Sequence, residues 1–268
     1  MKVILIILGI LLGLYVLAVG LLYVFQEKML FLPTKLPADH QFHFPFSQAG
    51  EMEEIFIDRD SAHLHNLCFS PDSPRAAVIY FHGNGGCLQD WGQIAPWFLD
   101  ENIAVWMLDY REYGKSSGPQ SEDAMLADAL AVYDAFAKRF PDIPHYSYGR
   151  SLGGSFASYV AANRPVDRLI LESTFMMIDT VAEDRFGWVP TRHLLRYHLP
   201  VVEFLHKVNV PTYLIQGTAD QVVPIRNGRG LAREHQLEDP YYIEIPGGGH
   251  NNLSNYPAFQ RWLEMVLR

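Results

Sequence analysis

The chain has 268 residues and a formal net charge of -9, with its basic residues scattered, which argues against a nucleic-acid partner. Two cysteines, Cys68 and Cys87, lack CxxC or Cys/His ligand spacing and exclude a disulfide-rich scaffold. The sequence contains no Walker A motif, Gly-x-Gly-x-x-Gly, zinc-type histidine spacing, internal repeat or low-complexity tract, so no metal and no cofactor are expected.

Val3 to Phe25 is an unbroken run of 23 uncharged, mostly aliphatic residues between Lys2 and Gln26-Glu27-Lys28. As a helix it would be about 34 Å long, enough to cross a bilayer with some tilt. A cleavable signal peptide is the competing reading, with Ala18-Val19-Gly20 as a faint cleavage site. The run continues well past that point, which favours an uncleaved single-pass anchor over residues 1–28. The flanking lysines place the N-terminus on the cytoplasmic side and the rest of the chain on the other.

Residues 29–52, with Pro33, Pro37 and Pro45 among Phe and His, read as an irregular connector. From Glu53 onward the pattern is that of one domain, 53–268. Glu54–Asp58 and His63–Phe69 alternate polar and apolar as a half-exposed antiparallel hairpin does. Ala76–Phe81, Ile103–Leu108, Leu169–Leu171 and Tyr213–Ile215 are continuous apolar runs, as expected of strands buried on both faces. His145–Tyr148 and Tyr241–Ile245 complete the strands. Helices are predicted over Asp90–Leu99, Glu122–Phe140, Ser151–Asn163, Asn227–His235 and Tyr256–Leu267. The alternation predicts an α/β class fold with a mostly parallel, doubly wound sheet. Residues 176–206 interrupt it at the carboxyl edge of the sheet, where a lid belongs.

Gly149-Arg150-Ser151-Leu152-Gly153 has the form of a strained strand-to-helix turn that lifts a serine hydroxyl clear of the sheet. An activated serine needs a base and a group to hold that base in one tautomer. Asp220 follows the Tyr213–Ile215 strand, and His250 follows Tyr241–Ile245 behind Gly247-Gly248-Gly249, a loop free to swing the imidazole over the sheet. The order Ser, acid, His, each at a strand end and 69 and 30 residues apart, makes three weak signals one strong one. Glu172 is the alternative acid. Tyr80-Phe81-His82-Gly83-Asn84-Gly85-Gly86 supplies a glycine-rich loop in which the Asn84 amide, beside that of Leu152, can face a developing oxyanion. His82 reads as a structural hydrogen-bonding residue, and Asp109 and the loop after it as structural too.

These motifs resemble the α/β-hydrolase superfamily and, with Asp109-Tyr110-Arg111-x-Tyr113-Gly114-x-Ser116-x-Gly118 and Gly217-x-x-Asp220-x-x-Val223-Pro224, its Bem46-like, ABHD-type branch. The resemblance covers most of residues 53–268. It implies an α/β-hydrolase fold, Ser151 as nucleophile, Asp220 as acid, His250 as base and oxyanion donors at Asn84 and Leu152. An N-terminal membrane anchor fits it. Two positions depart from the pattern: Glu112, where the branch usually has Gly, and the polar, aromatic strand His145–Tyr148. The expected activity is serine-dependent hydrolysis of an ester or thioester, with acylglycerols, lysophospholipids or acylated proteins as substrates presented at a membrane. A catalytically silent tethered binding module and a serine peptidase on the same fold are the alternatives.

Overall fold

The computed structural model describes residues 1–46 and 51–268; the end of the expected connector, 47–50, lies outside them. The apolar N-terminal run is a single helix, α1 (Lys2–Leu30), about 44 Å long. Its apolar side chains from Val3 to Leu17 stand mostly exposed, and its one buried residue is Gln26. The connector then forms a two-residue strand, β1 (Leu32–Pro33).

The expected hairpin is present as β2 (Glu51–Arg59) and β3 (Ala62–Ser70), paired antiparallel. Next come β4 (Ala76–Phe81), the two-residue β5 (Gly85–Gly86), α2 (Leu88–Trp91), α3 (Pro96–Leu99) and β6 (Ile103–Leu108). The helix predicted over Asp90–Leu99 is therefore divided. Pro96 opens α3 and cannot continue a preceding helix. Gly92 sits under the Phe44 ring so closely that an added Cβ would lie 2.5 Å from it.

The chain continues through α4 (Glu122–Arg139), β7 (His145–Arg150), α5 (Gly153–Asn163) and β8 (Arg168–Glu172). Ser121 caps α4 by accepting from the Ala124 amide at 3.2 Å, and acidic first-turn and basic last-turn residues suit its dipole. Residues 176–206 carry three short helices, α6 (Ile178–Phe186), α7 (Thr191–Leu194) and α8 (Val201–Leu205). Then follow β9 (Thr212–Gly217), α9 (Arg226–Glu234), β10 (Tyr242–Ile245) and α10 (Pro257–Leu267).

Among the described residues the main sheet has eight strands in the order β10-β9-β8-β7-β4-β6-β3-β2, parallel except for β3 and β2. Alternate residues of β4 feed two cores. Ala77, Ile79 and Phe81 join α4 and α5 on one face, while Ala76, Val78 and Tyr80 join Phe98 and α10 on the other. The polar, aromatic β7 is explained by its partners: Tyr148 donates to Glu172 at 2.8 Å, Ser147 donates to the Ala157 carbonyl, and Tyr146 lies under Arg168. The second departure also has a backbone reason. Glu112 has φ 70, a left-handed conformation that glycine adopts more cheaply, and its carboxylate is bonded to Lys35 of the connector at 2.8 Å.

Candidate active site

The turn from β7 into α5 sets the geometry. Ser151 has φ 52, and its amide donates to the Glu172 carbonyl of β8 at 2.8 Å. The neighbouring glycines are needed for close approach: a Cβ on Gly149 would lie 2.4 Å from the Gly153 carbonyl oxygen, and one on Gly153 only 1.9 Å from that of Phe81. α5 therefore packs tightly against β4 with the Ser151 side chain turned towards the carboxyl edge, 8% exposed.

The loops after β9 and β10 bring the other two predicted residues to it. His250 Nε2 lies 3.0 Å from Ser151 Oγ, and His250 Nδ1 lies 2.7 Å from Asp220 Oδ2. The other oxygen of Asp220, Oδ1, accepts from the amides of Val222 and Val223, each at 2.8 Å. Asp220 is thus both a turn residue and the partner of His250. Glu172, the alternative acid, is occupied elsewhere, on Arg150 and Tyr148.

The glycine loop ahead of His250 differs from expectation. It is pinned, not free to swing. Gly248 donates to Ile245 and its carbonyl accepts from Ala219, Gly247 donates to Thr218 Oγ1, and Gly249 donates to Asn252 Oδ1. Of the three glycines only Gly247, at φ 73, has a left-handed backbone.

Asn84 and Leu152 line one cavity with Ser151, of about 180 Å³. Among the described residues neither the Asn84 nor the Leu152 backbone N–H has a protein acceptor. The Asn84 side chain is held, accepting from Leu32 N and from the Tyr113 hydroxyl. β1 pairs in parallel with β5, so the connector is stitched to this glycine loop. His82 is fully buried and donates from Nδ1 to the Gly83 carbonyl at 2.6 Å. Burial pulls its pKa below the ordinary value, against the pull of Asp109, so it is a neutral structural group. Asp109 accepts from Leu88 N and faces His65 Nδ1 at 3.1 Å, a structural hub as expected. The two cysteines are free and buried, and burial pushes their thiols up to about 12 (Cys68) and about 11 (Cys87), which leaves neither as a competing nucleophile.

The rest of the cavity wall is apolar apart from Arg185: Phe175, Ile178, Val181, Ala182 and Phe186 come from the segment before and within α6, Val222 and Val223 from the loop that carries Asp220. α6, within the segment 176–206 expected to form a lid, supplies part of the wall beside Ser151. Met29 and Leu30 also line the cavity; the sequence assigns them to the connector that begins at residue 29, and in the structure they form the last turn of α1.

Arg150, beside the serine in the motif, has a role that the sequence does not signal. Its guanidinium lies 3.1 Å from the Glu172 carboxylate and 5.0 Å over the Trp91 ring, and it donates to the His250 carbonyl and Asn251 Oδ1, each at 3.1 Å. Burial works against its charge, but Glu172 and the nearby tyrosines outweigh that and raise its pKa. The residue ties the serine turn to the histidine loop. Arg150→Met is expected to lower kcat by up to about 10²-fold by loosening the His250 position. Steady-state kinetics below the variant's melting temperature checks this, since the stranded Glu172 charge will also cost stability. An unchanged kcat would leave Asp220 alone as the group that fixes His250.

Comparison with known proteins agrees with this architecture. A family model described as "Serine aminopeptidase, S33" matches residues 72–201. The α/β hydrolase domain-containing protein WAV2 of Arabidopsis thaliana is 27% identical over 265 residues, covering 89% of this chain and 85% of WAV2. An uncharacterised protein of Mycobacterium tuberculosis H37Rv is 32% identical over 178 residues, a match that spans 66% of this chain and 63% of that protein's length. The Pyrococcus furiosus esterase Pf2001 superposes with a TM-score of 0.67 over 88% of this chain and 96% of the esterase, at 17% identity.

The chain has the fold of the α/β-hydrolase superfamily. Within that superfamily's fold, the edge of the parallel sheet where β4, β7, β9 and β10 end is where this chain gathers Asn84, Ser151, Asp220 and His250.

Proposed function

We propose that the chain is a serine hydrolase of carboxylic esters or thioesters, acting on lipid or acylated substrates at a membrane. The observation that carries this reading is the hydrogen-bonded line Ser151–His250–Asp220, whose serine lines a largely apolar cavity. Ser151 Oγ attacks the carbonyl carbon while His250 Nε2 takes its proton, and the Asp220 carboxylate holds Nδ1–H and stabilises the imidazolium. The carbonyl oxygen takes up negative charge between the Asn84 and Leu152 amides. Each such donor contributes roughly 2.7–4 kcal/mol in comparable sites. Collapse breaks the bond to the leaving oxygen or sulfur, which receives the proton from His250. Water then repeats the sequence on the acyl-serine, releasing the carboxylic acid and restoring Ser151.

The peptidase alternative gains weight from the description of the matching family model, but the cavity speaks for an acyl group. An aminopeptidase needs a carboxylate to receive the substrate's ammonium, and the charged side chain on this wall is the cationic Arg185. The apolar wall suits a hydrocarbon chain instead. The helix α1, with mean hydropathy 2.9 over its most apolar window, is read as the membrane anchor.

The test is hydrolysis of p-nitrophenyl esters of increasing acyl length by detergent-solubilised protein, together with labelling by a fluorophosphonate. Turnover with stoichiometric labelling of Ser151 is expected. A folded protein that cleaves no ester and resists the label would overturn the proposal in favour of the silent module.

A further inference from the structure

The mouth of the Ser151 cavity is built in part from the helix that would carry the chain into a membrane. Met29 and Leu30 of α1 and Ala182 and Phe186 of α6 line that cavity. The same four residues also line a second groove, of about 70 Å³, between α1 and residues 182–195, with Leu22 and Val189 among its walls. Cavity and groove are therefore neighbours that share four side chains. No charged side chain lines the groove.

The groove is held at a fixed width. Gln26, the buried polar residue of α1, donates to the Leu194 carbonyl at 3.2 Å and accepts from Arg196 N at 2.8 Å. Glu27 accepts from the Tyr197 hydroxyl at 2.9 Å and lies 3.3 Å from the Arg196 guanidinium. Further along, Tyr15 donates to the Trp188 carbonyl at 3.3 Å, with the two rings edge to face at 6.0 Å. Tyr15 is about 16 Å from Gln26 along the helix. The tip of the lid thus lies beside the apolar part of α1, with Trp188 still 55% exposed.

We propose that this groove is an acyl-chain channel open to the bilayer, with the anchor helix as one wall, so that the chain of a membrane-resident ester reaches Ser151 sideways. The inference rests on the hydrolase reading above. An acyl chain is the occupant that fits. A peptide would bring a row of backbone N–H and C=O groups that need partners, whereas the amide of Gln26 is already engaged and the Thr191 hydroxyl is a single unpartnered group in the groove wall. A hydrocarbon chain needs none, and it passes from lipid to groove without meeting water.

The test uses the full chain in phosphatidylcholine nanodiscs. Leu22→Trp and Val189→Trp fill the groove at positions that do not line the Ser151 cavity. The ratio of kcat/KM for p-nitrophenyl dodecanoate to that for p-nitrophenyl acetate is expected to fall at least about tenfold in both, a change of about 1.4 kcal/mol. A ratio that stays at the wild-type value while acetate is still cleaved overturns the channel and leaves the hydrolase reading intact. Because a buried tryptophan can unfold the lid, a second measurement uses wild type alone. A hexadecyl fluorophosphonate with a terminal diazirine is attached to Ser151 and photolysed. Crosslinks to the Leu22 or Val189–Leu195 peptides are expected, and crosslinks confined to other peptides overturn the channel. Wild type that cleaves neither ester and takes no label overturns the hydrolase reading and the channel with it.

Discussion

Ser151→Ala is expected to lower ester turnover by about 10⁶-fold, and Asp220→Asn by about 10⁴-fold, with both proteins folded. The gap between them follows from the geometry. Removing the Ser151 hydroxyl removes the bond-forming atom. At Asp220 the loss is subtler, because Oδ1 could still accept from Val222 and Val223 in the asparagine variant. The amide nitrogen would then face His250 Nδ1, 2.7 Å away, where the carboxylate now accepts. An NH₂ group there donates, so Nδ1 must become the acceptor and the ring proton moves to Nε2. The nitrogen that faces Ser151 at 3.0 Å would then carry a proton and could not take another. Steady-state kinetics with circular dichroism as a fold control decides it. An asparagine variant within tenfold of wild type would remove Asp220 from the role of orienting group.

Gly153→Ala is expected to destabilise the domain by more than about 3 kcal/mol and to abolish turnover with it. The added Cβ would lie 1.9 Å from the Phe81 carbonyl oxygen, 2.5 Å from its carbon and 2.7 Å from the His82 oxygen. These are backbone atoms of β4 and the residue after it, in the middle of the sheet, so relief requires moving a central strand. Gly85→Ala is the control, since nothing lies within 4 Å of its added Cβ, and its effect should stay within about 0.5 kcal/mol. Thermal melts of the two variants should therefore separate widely; equal melts would mean that the turn can open without disturbing β4.

Much of this site was legible because it depends on chain order and on runs of residues. β4 and β6 match their apolar runs end to end, since strands buried on both faces leave no polar residue to blur a boundary. β7 runs two residues beyond the expected His145–Tyr148, because Gly149 and Arg150 extend it with residues that carry no strand signal. Ser151, Asp220 and His250 could be found because the strands of a parallel sheet deliver their loops to one edge in order. What stayed hidden depends on pairs far apart in sequence. Leu32–Pro33 pairing with Gly85–Gly86, and Gln26 bonding to residues 194 and 196, follow from where tertiary folding brings a polar side chain or a short backbone stretch. No local pattern marks them. Arg150 was hidden for another reason: a variable position in a motif invites no attention until its partners are seen.

The two attachments around the end of α1 have a mechanical consequence. A domain on a slack tether can take any pose against its membrane. Here the helix end is bonded on one side to the lid through Gln26 and Glu27, and just beyond it Leu32–Thr34 is bonded to the glycine loop. The helix axis and the cavity mouth are thereby joined as one rigid lever. Where that helix spans a bilayer, a change in hydrocarbon thickness that alters its tilt rotates the mouth by the same angle, and the lipid composition around the chain sets the direction from which Ser151 can be reached.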